Sequence, residues 1–210
     1  MQVSGLLNLM GNLSLGNDNI TEVERAIFLQ YLNLAHLELY QVTANLNQDL
    51  LIQETVQAGL NYAQLPEKPY LVNSVYDLTH QRKLRRISLT DAIERDPAFV
   101  STGTPCQYFV KQNIIHFVPV QTAVTSINVW YVPQPITLTE QTTEQDIPYP
   151  LAYHPVLVDG ALYYLFQEEG GFRDSQKSQA AQKRWETGKS RLISYLFNGS
   201  SQVLSTFSSV

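Results

Sequence analysis

Cys106 and His116 are the two side chains whose types best suit covalent chemistry. A thiolate next to an oriented imidazole can attack a carbonyl, provided that its pKa is lowered and the base is within reach. Cys106 opens a strand-like run and carries no hydrolase signature around it, so a buried or half-buried structural cysteine is the preferred reading. The four histidines, His36, His80, His116 and His154, are far apart in sequence, and none has metal-ligand spacing to a cysteine or carboxylate. Glu168 and Glu169 are neighbours, so on a helix they diverge and cannot act on one bond. No G-x-S-x-G, phosphate-cradling glycine loop or H-E-x-x-H occurs. The expectation is a protein that is not an enzyme, with no catalytic residues, no cofactor and no metal.

Charge says more than reactive groups do. The net charge of −5 over 210 residues argues against a general nucleic-acid binder, which relies on Lys and Arg to neutralise phosphates. Only 16% of residues are charged, against about 25% in a typical domain, and a charge-poor surface resists association less. No Lys or Arg occurs from Gln112 through Phe172, where six acids fall: Glu140, Glu144, Asp146, Asp159, Glu168 and Glu169. Two basic clusters stand apart, Arg82 to Arg86 and Arg173 to Arg191. Three readings fit these patches: solvated faces, complementary surfaces that set copies or partners in register, and nucleic-acid contact. Cys106 is the sole cysteine, so no intrachain disulfide can form, as in a reducing compartment. Residues 1–19 lack the basic flank of a signal peptide, and no apolar run is long enough for a membrane span.

The elements that would position these groups can be read in order. Residues 1–19, rich in Gly, Asn and Leu, read as a flexible N-terminal arm. Thr21 with Glu24 forms a capping box that predicts a helix over 20–45. Its expected inner face is Val23, Ile27, Phe28, Tyr31, Leu32, Leu34, Ala35 and Leu39. Residues 50–133 read as an inserted antiparallel β module of five or six strands, the best being 106–111, 114–118 and 125–132. Lys111-Gln112-Asn113 is the hairpin turn between the first two of these, and a short helix over 89–94 is expected with Thr90 as its cap. Residues 134–150 form an acidic linker. Helices follow over 154–169, ended by Gly170-Gly171, and over 173–197. The last carries a seam of Ala181, Trp185, Gly188, Leu192 and Tyr195, where Gly188 marks either a close backbone approach or a break. Residues 198–210 form a Ser-rich tail. The fold class is α+β: a small helical bundle, made from the N-terminal helix and two C-terminal helices, around an inserted antiparallel module.

Several residues are candidate partner contacts. Leu29, Leu37 and Tyr40 interrupt the polar face of the first helix, which fits burial on two sides or contact with a neighbouring subunit. Trp185, Arg184 and Arg191 lie on the last helix. Val203, Leu204, Phe207 and Val210 stud the tail; they fit either a disordered end or an arm that buries itself on a partner. Leu6, Leu7, Leu9, Leu13 and Leu15 pose the same choice for the N-terminal arm.

Motif order over residues 20–197 resembles the head-to-tail adaptor (connector, or neck) proteins of tailed bacteriophages. The capped helix precedes Ala58-Gly59 and Tyr62-Ala63-Gln64-Leu65-Pro66. The β segment ends in Trp130-Tyr131-Val132-Pro133-Gln134-Pro135. Asp146-Ile147-Pro148-Tyr149-Pro150, Tyr153-His154-Pro155 and Phe172-Arg173-Asp174 then introduce the closing helices. The resemblance implies a structural virion protein, assembled in the host bacterial cytoplasm, whose copies form a homo-oligomeric ring of twelve. That ring would bind the portal protein on one side and a tail-side neck or tail-tube protein on the other, with no membrane. It would leave an ejection channel through which DNA passes without specific contact, the acidic stretch 140–146 being one candidate for its lining. Another phage tail or baseplate component, a nucleic-acid-binding module using residues 82–86 and 173–191, and a Cys-dependent hydrolase are the competing readings.

Overall fold

The computed structural model of the chain describes residues 2–16, 20–168 and 171–207, the stretch 199–207 as backbone. The fold is α+β, and the chain divides into two compact units, Met1–Asp49 with Pro135–Val210, and Leu50–Gln134.

The helical unit begins where a flexible arm was expected. Residues Val3–Leu15 form helix α1, with Val3, Leu6, Leu7 and Met10 fully buried. Those positions have the i, i+3, i+4, i+7 spacing of a helical stripe. Two glycines and two asparagines within the segment lower its intrinsic propensity, and tertiary burial overrides them. Gly16 ends the helix at φ 66, in the left-handed region, its N–H donating to the Asn12 carbonyl. Helix α2, Glu22–Thr43, starts on the expected capping box: Thr21 Oγ1 accepts the Glu24 N–H at 3.3 Å, and Glu24 Oε2 accepts the Thr21 N–H at 2.7 Å.

The buried face of α2 is rotated from the expected one. It comprises Phe28, Tyr31, Leu32, Ala35, His36, Leu39, Tyr40 and Thr43, while Val23 and Leu34 are exposed. Hydrophobicity alone ranks His36 and Thr43 as outward-facing. Here Thr43 satisfies its hydroxyl on the Leu39 carbonyl at 2.7 Å, so it can be inside.

The stretch expected to be an acidic linker is folded onto α2. Leu138, Ile147 and Tyr149 are buried. The Asn33 side chain grips Leu138 twice, donating to its carbonyl at 3.0 Å and accepting its N–H at 2.7 Å. Asn47 donates to the Pro148 carbonyl at 2.7 Å. These amides satisfy backbone groups that a free linker would leave to water.

Helix α4, His154–Leu165, follows a short 3-10 turn, Leu151–Tyr153, with Pro155 in its first turn. It buries Leu157, Val158, Gly160, Ala161, Leu162 and Leu165. A Cβ on Gly160 would lie 2.8 Å from the Trp185 ring and 3.0 Å from Ala35 Cβ, so α4 fits between its neighbours only because this position has no side chain. Gly170 lies outside the described residues. The last helix, α5, runs Ser175–Phe207, ten residues beyond the expected end, so the expected tail is helical as far as Phe207. Ala181, Trp185, Leu192 and Leu196 face inward, whereas Tyr195 is exposed. Gly188 marks a close approach, since a Cβ there would meet Val156 at 2.7 Å. Buried residues of α1, α2, α4 and α5 share one hydrophobic cluster.

The β unit holds a seven-stranded sheet in the order β1-β7-β3-β4-β5-β6-β2. Its strands are β1 Ile52–Ala58, β2 Tyr62–Gln64, β3 Pro69–Asp77, β4 Arg82–Arg86, β5 Gln107–Lys111, β6 Ile114–Val118 and β7 Thr125–Pro133. The two strands at the ends of that order, β1 and β2, are joined by a tight turn in which the Gly59 N–H donates to the Tyr62 carbonyl at 2.9 Å, so the sheet nearly closes on itself. β3 runs as one strand although register shifts between Pro69 and Leu71 and between Val72 and Ser74 interrupt its alternation.

The module is not wholly antiparallel. β4 and β5 run parallel, Arg85 opposite Gln107 and Arg86 opposite Tyr108. A parallel pair needs a long crossover, and residues 87–106, with helix α3 (Leu89–Arg95), supply it. Ser88, and not Thr90, caps α3: Ser88 Oγ accepts the Asp91 N–H at 3.0 Å, and Asp91 returns the bond to the Ser88 N–H. Lys111 pairs with Ile114, leaving Gln112 and Asn113 as the hairpin turn, with Gln112 at φ 59.

Candidate functional site

Covalent chemistry finds no assembled pair. Cys106 is exposed, in contrast to the expected buried or half-buried cysteine, and its Sγ is 3.7 Å from the Val118 carbonyl. His116 faces Phe109 in the β5–β6 register, with rings stacked at 4.7 Å and 8°. Gln107 pairs with Val118, so Cys106 and His116 are separated by about three residues along the strands, roughly 10 Å. Among the described residues no group of three or more His, Cys, Asp or Glu could hold a metal ion. Nor is any helix among them long and apolar enough to cross a membrane.

The sequence-predicted contact residues scatter. Tyr40 and Trp185 are core residues, 1% and 0% exposed, and serve their own fold. The Trp185 ring fills the space beside Gly160 of α4, and the Tyr40 ring packs edge-on against His36. Leu29 is half-buried against the same cluster. Leu37 is 41% exposed. Arg184 is half-exposed, yet its Nε donates to Asp159 at 2.6 Å, so part of the charge separation seen in sequence is neutralised within the unit. Lys189 repeats the pattern between Glu38 at 2.7 Å and Glu186 at 2.8 Å, with its ammonium 4.9 Å from the Trp185 ring centre. Burial pushes the Glu38 carboxyl up, but hydrogen bonds from Lys189 and Tyr164 outweigh it and hold the group below the ordinary value. Arg191 is exposed and, with Tyr153, Asp159 and Lys183, borders a shallow trench of about 460 Å³. Val203, Leu204 and Phe207 fall in the backbone-only end of α5, and Val210 lies outside the described residues.

Sequence reading missed two features. On the helical unit, Val23 and Leu34 join Leu37 on the outer face of α2, and Tyr195 and Phe197 are exposed on α5. Spacing 23, 34, 37 holds the signal, masked by assigning Val23 and Leu34 to the core.

On the β unit, a row of rings crosses three strands. Tyr62 on β2 is directly opposite His116 on β6, which is directly opposite Phe109 on β5; Phe99 then lies 5.6 Å from Phe109. These four line a cleft of about 290 Å³. A wider cleft shares Leu89 and Phe109 with it and carries Arg85, Arg86 and Arg95. Burial, helped by the Lys111 charge, pulls the His116 pKa below its ordinary value, so this ring is neutral at pH 7. No sequence spacing could have shown the row, because its members are brought together only by strand register.

With those surfaces in view, comparison with known families is decisive. The family model described as SU10 adaptor protein matches residues 1–205. The chain belongs to that family. The adaptor is thus a phage protein of the head-to-tail region, and the match includes the N-terminal segment that folds as α1. Among curated proteins nothing matches the adaptor.

Proposed function

We propose that the protein is a structural virion component whose copies form a closed ring, twelve-fold, between the portal of the phage head and the tail, leaving an axial channel for DNA. Membership of the adaptor family over residues 1–205 carries this reading. The helical unit, arranged as a small bundle, would be the ring body. Cyclic closure needs one face of a subunit to meet a different face of the next. The outer face of α2, with Val23, Leu34 and Leu37, and the side of α5 that exposes Tyr195 are two such faces. The portal would be the head-side partner and a neck or tail-tube protein the tail-side one, and DNA would pass without specific contact. No cofactor or catalytic step is part of this role.

Native mass spectrometry of the purified chain, alone and with its portal protein, tests the reading. A monomer-to-ring equilibrium, driven to the ring by portal, is expected. A chain that stays monomeric with saturating portal overturns it.

A further inference from the structure

The aromatic cleft of the β unit has features that packing within its own fold leaves over. Phe99 adopts φ 50, a left-handed conformation that is strained for a bulky residue. Asp96 holds it there, its carboxylate accepting the N–H groups of Val100 at 3.2 Å and Ser101 at 2.8 Å. The strained turn brings the Phe99 ring against Phe109 at the cleft. Of the residues lining it, Tyr62 and Leu89 are 49% and 42% exposed. Scattered apolar residues need no explanation, but exposed ones lining one aromatic cleft do.

Beside it stand Arg85, Arg86, Arg95 and Lys111. Among the described residues no carboxylate is within ion-pair distance of any of the four. Asp91, the one acid lining the wider cleft, is bonded in the α3 capping box and feels Arg95 and Arg85 only through space. Arg86 and Arg95 donate to neutral acceptors, the Val72 carbonyl and Gln107 Oε1. A protein of net charge −5 thus gathers four cations at an apolar cleft.

We propose that this groove docks an acidic segment of another protein, which inserts one aromatic side chain into the cleft and sets its carboxylates against Arg85, Arg86, Arg95 and Lys111. A volume of about 290 Å³ accepts a single large side chain. The bases of duplex DNA, stacked and paired, cannot enter it. The chain's own acidic stretch is a poor occupant, because Glu140 faces Arg25 at 3.6 Å, Asp146 caps Thr143, and Ile147 and Tyr149 are buried. This docking mode does not depend on ring formation.

Fluorescence anisotropy of the full chain with a short labelled peptide of Asp and Glu around one central Phe tests it. Binding is expected at low salt, falling with ionic strength. Replacing the peptide's Phe by Ser, or making the Arg85→Glu/Lys111→Glu protein, should each weaken it about tenfold. Both protein positions are exposed, so the melting temperature reports whether that variant remains folded. The peptide-side change needs no variant at all. No binding at millimolar peptide overturns the proposal, as does equal binding of the Phe and Ser peptides. Tighter binding of a single-stranded oligonucleotide than of the peptide also overturns it, and would reassign the groove to nucleic acid.

Discussion

The two units use similar residues in opposite ways. In the helical unit, cations and amides are turned inward on their own chain: Arg184 on Asp159, Lys189 on Glu38, Asn33 on Leu138 and Asn47 on Pro148. In the β unit, Arg85 and Lys111 have no such carboxylate among the described residues, and aromatic rings border open space. Two basic clusters of similar appearance in sequence therefore have different fates. In one, Arg184 and Lys189 hold a scaffold together through carboxylates. In the other, Arg82 and Arg86 donate to the Pro105 and Val72 carbonyls, and Arg85 is left without a carboxylate partner among the described residues. A charge cluster acquires meaning only when its acids are located, and register and helix packing decide that.

Each unit carries one tryptophan, Trp185 and Trp130, so the contrast can be measured unit by unit. The largest effect is expected from Leu6→Ala/Leu7→Ala. Each side chain is fully buried, and each truncation costs roughly 2–5 kcal/mol. Urea unfolding followed by Trp185, in a Trp130→Phe background, should show that loss. A flexible arm would show none, so an unchanged midpoint would return α1 to that status.

Next in size is a pH effect confined to the helical unit. His36 is 1% exposed, with the rings of Tyr40 and Tyr149 set edge-on against it and no hydrogen-bond partner of good geometry for either ring nitrogen. Burial pulls its pKa from 6.5 to about 4, the Ile136 backbone offsetting only part. The unfolded chain therefore binds the proton more readily than the folded one between those values. This contribution to stability is complete above pH 6.5 and is lost as the pH falls to about 4. At about 1.4 kcal/mol per pH unit the loss approaches 3 kcal/mol. His36→Leu should flatten that slope in the Trp185 signal and leave the Trp130 signal unmoved. An unaltered slope would place the proton elsewhere.

In the β unit, Ser88→Ala removes the cap of α3 and should cost about 1 kcal/mol, read from Trp130 in a Trp185→Phe background. Thr90→Ala should cost less, since Thr90 is not the cap. Equal losses would mean that the crossover helix is held by packing and not by its first turn.

Legibility in the sequence followed the range of the forces involved. Capping at Thr21 is local, so it was readable, as were β6 and the hairpin at Gln112, where propensity and turn chemistry agree. α1 was not, because its glycines and asparagines argue against a helix and only burial of Val3, Leu6, Leu7 and Met10 reverses that balance. The parallel β4–β5 pair and the Tyr62–His116–Phe109 row depend on contacts between distant residues, and no local pattern encodes them. Tyr40 was misplaced for a related reason. An apolar residue on a polar helix face looks alike whether it meets its own core or a neighbour, and the rotation of α2 that brings His36 and Thr43 inside is a tertiary outcome.

The smallest effect on stability should come from Leu37→Lys, and it separates the units most sharply. Leu37 is 41% exposed on the outer face of α2, so the substitution should shift stability by no more than about 0.5 kcal/mol. If that face meets the next subunit, the new ammonium is buried against apolar surface, where an unpaired charge is costly. The variant should then remain a folded monomer under conditions in which the parent forms rings, as native mass spectrometry would show. Tyr62→Ser, at a 49% exposed position in the β unit, should leave ring formation intact and weaken only binding of the acidic peptide. Rings from Leu37→Lys at parental concentration would remove the outer face of α2 from the subunit contact. Loss of rings with Tyr62→Ser instead would mean that the aromatic cleft, and not the helical unit, joins one copy to the next.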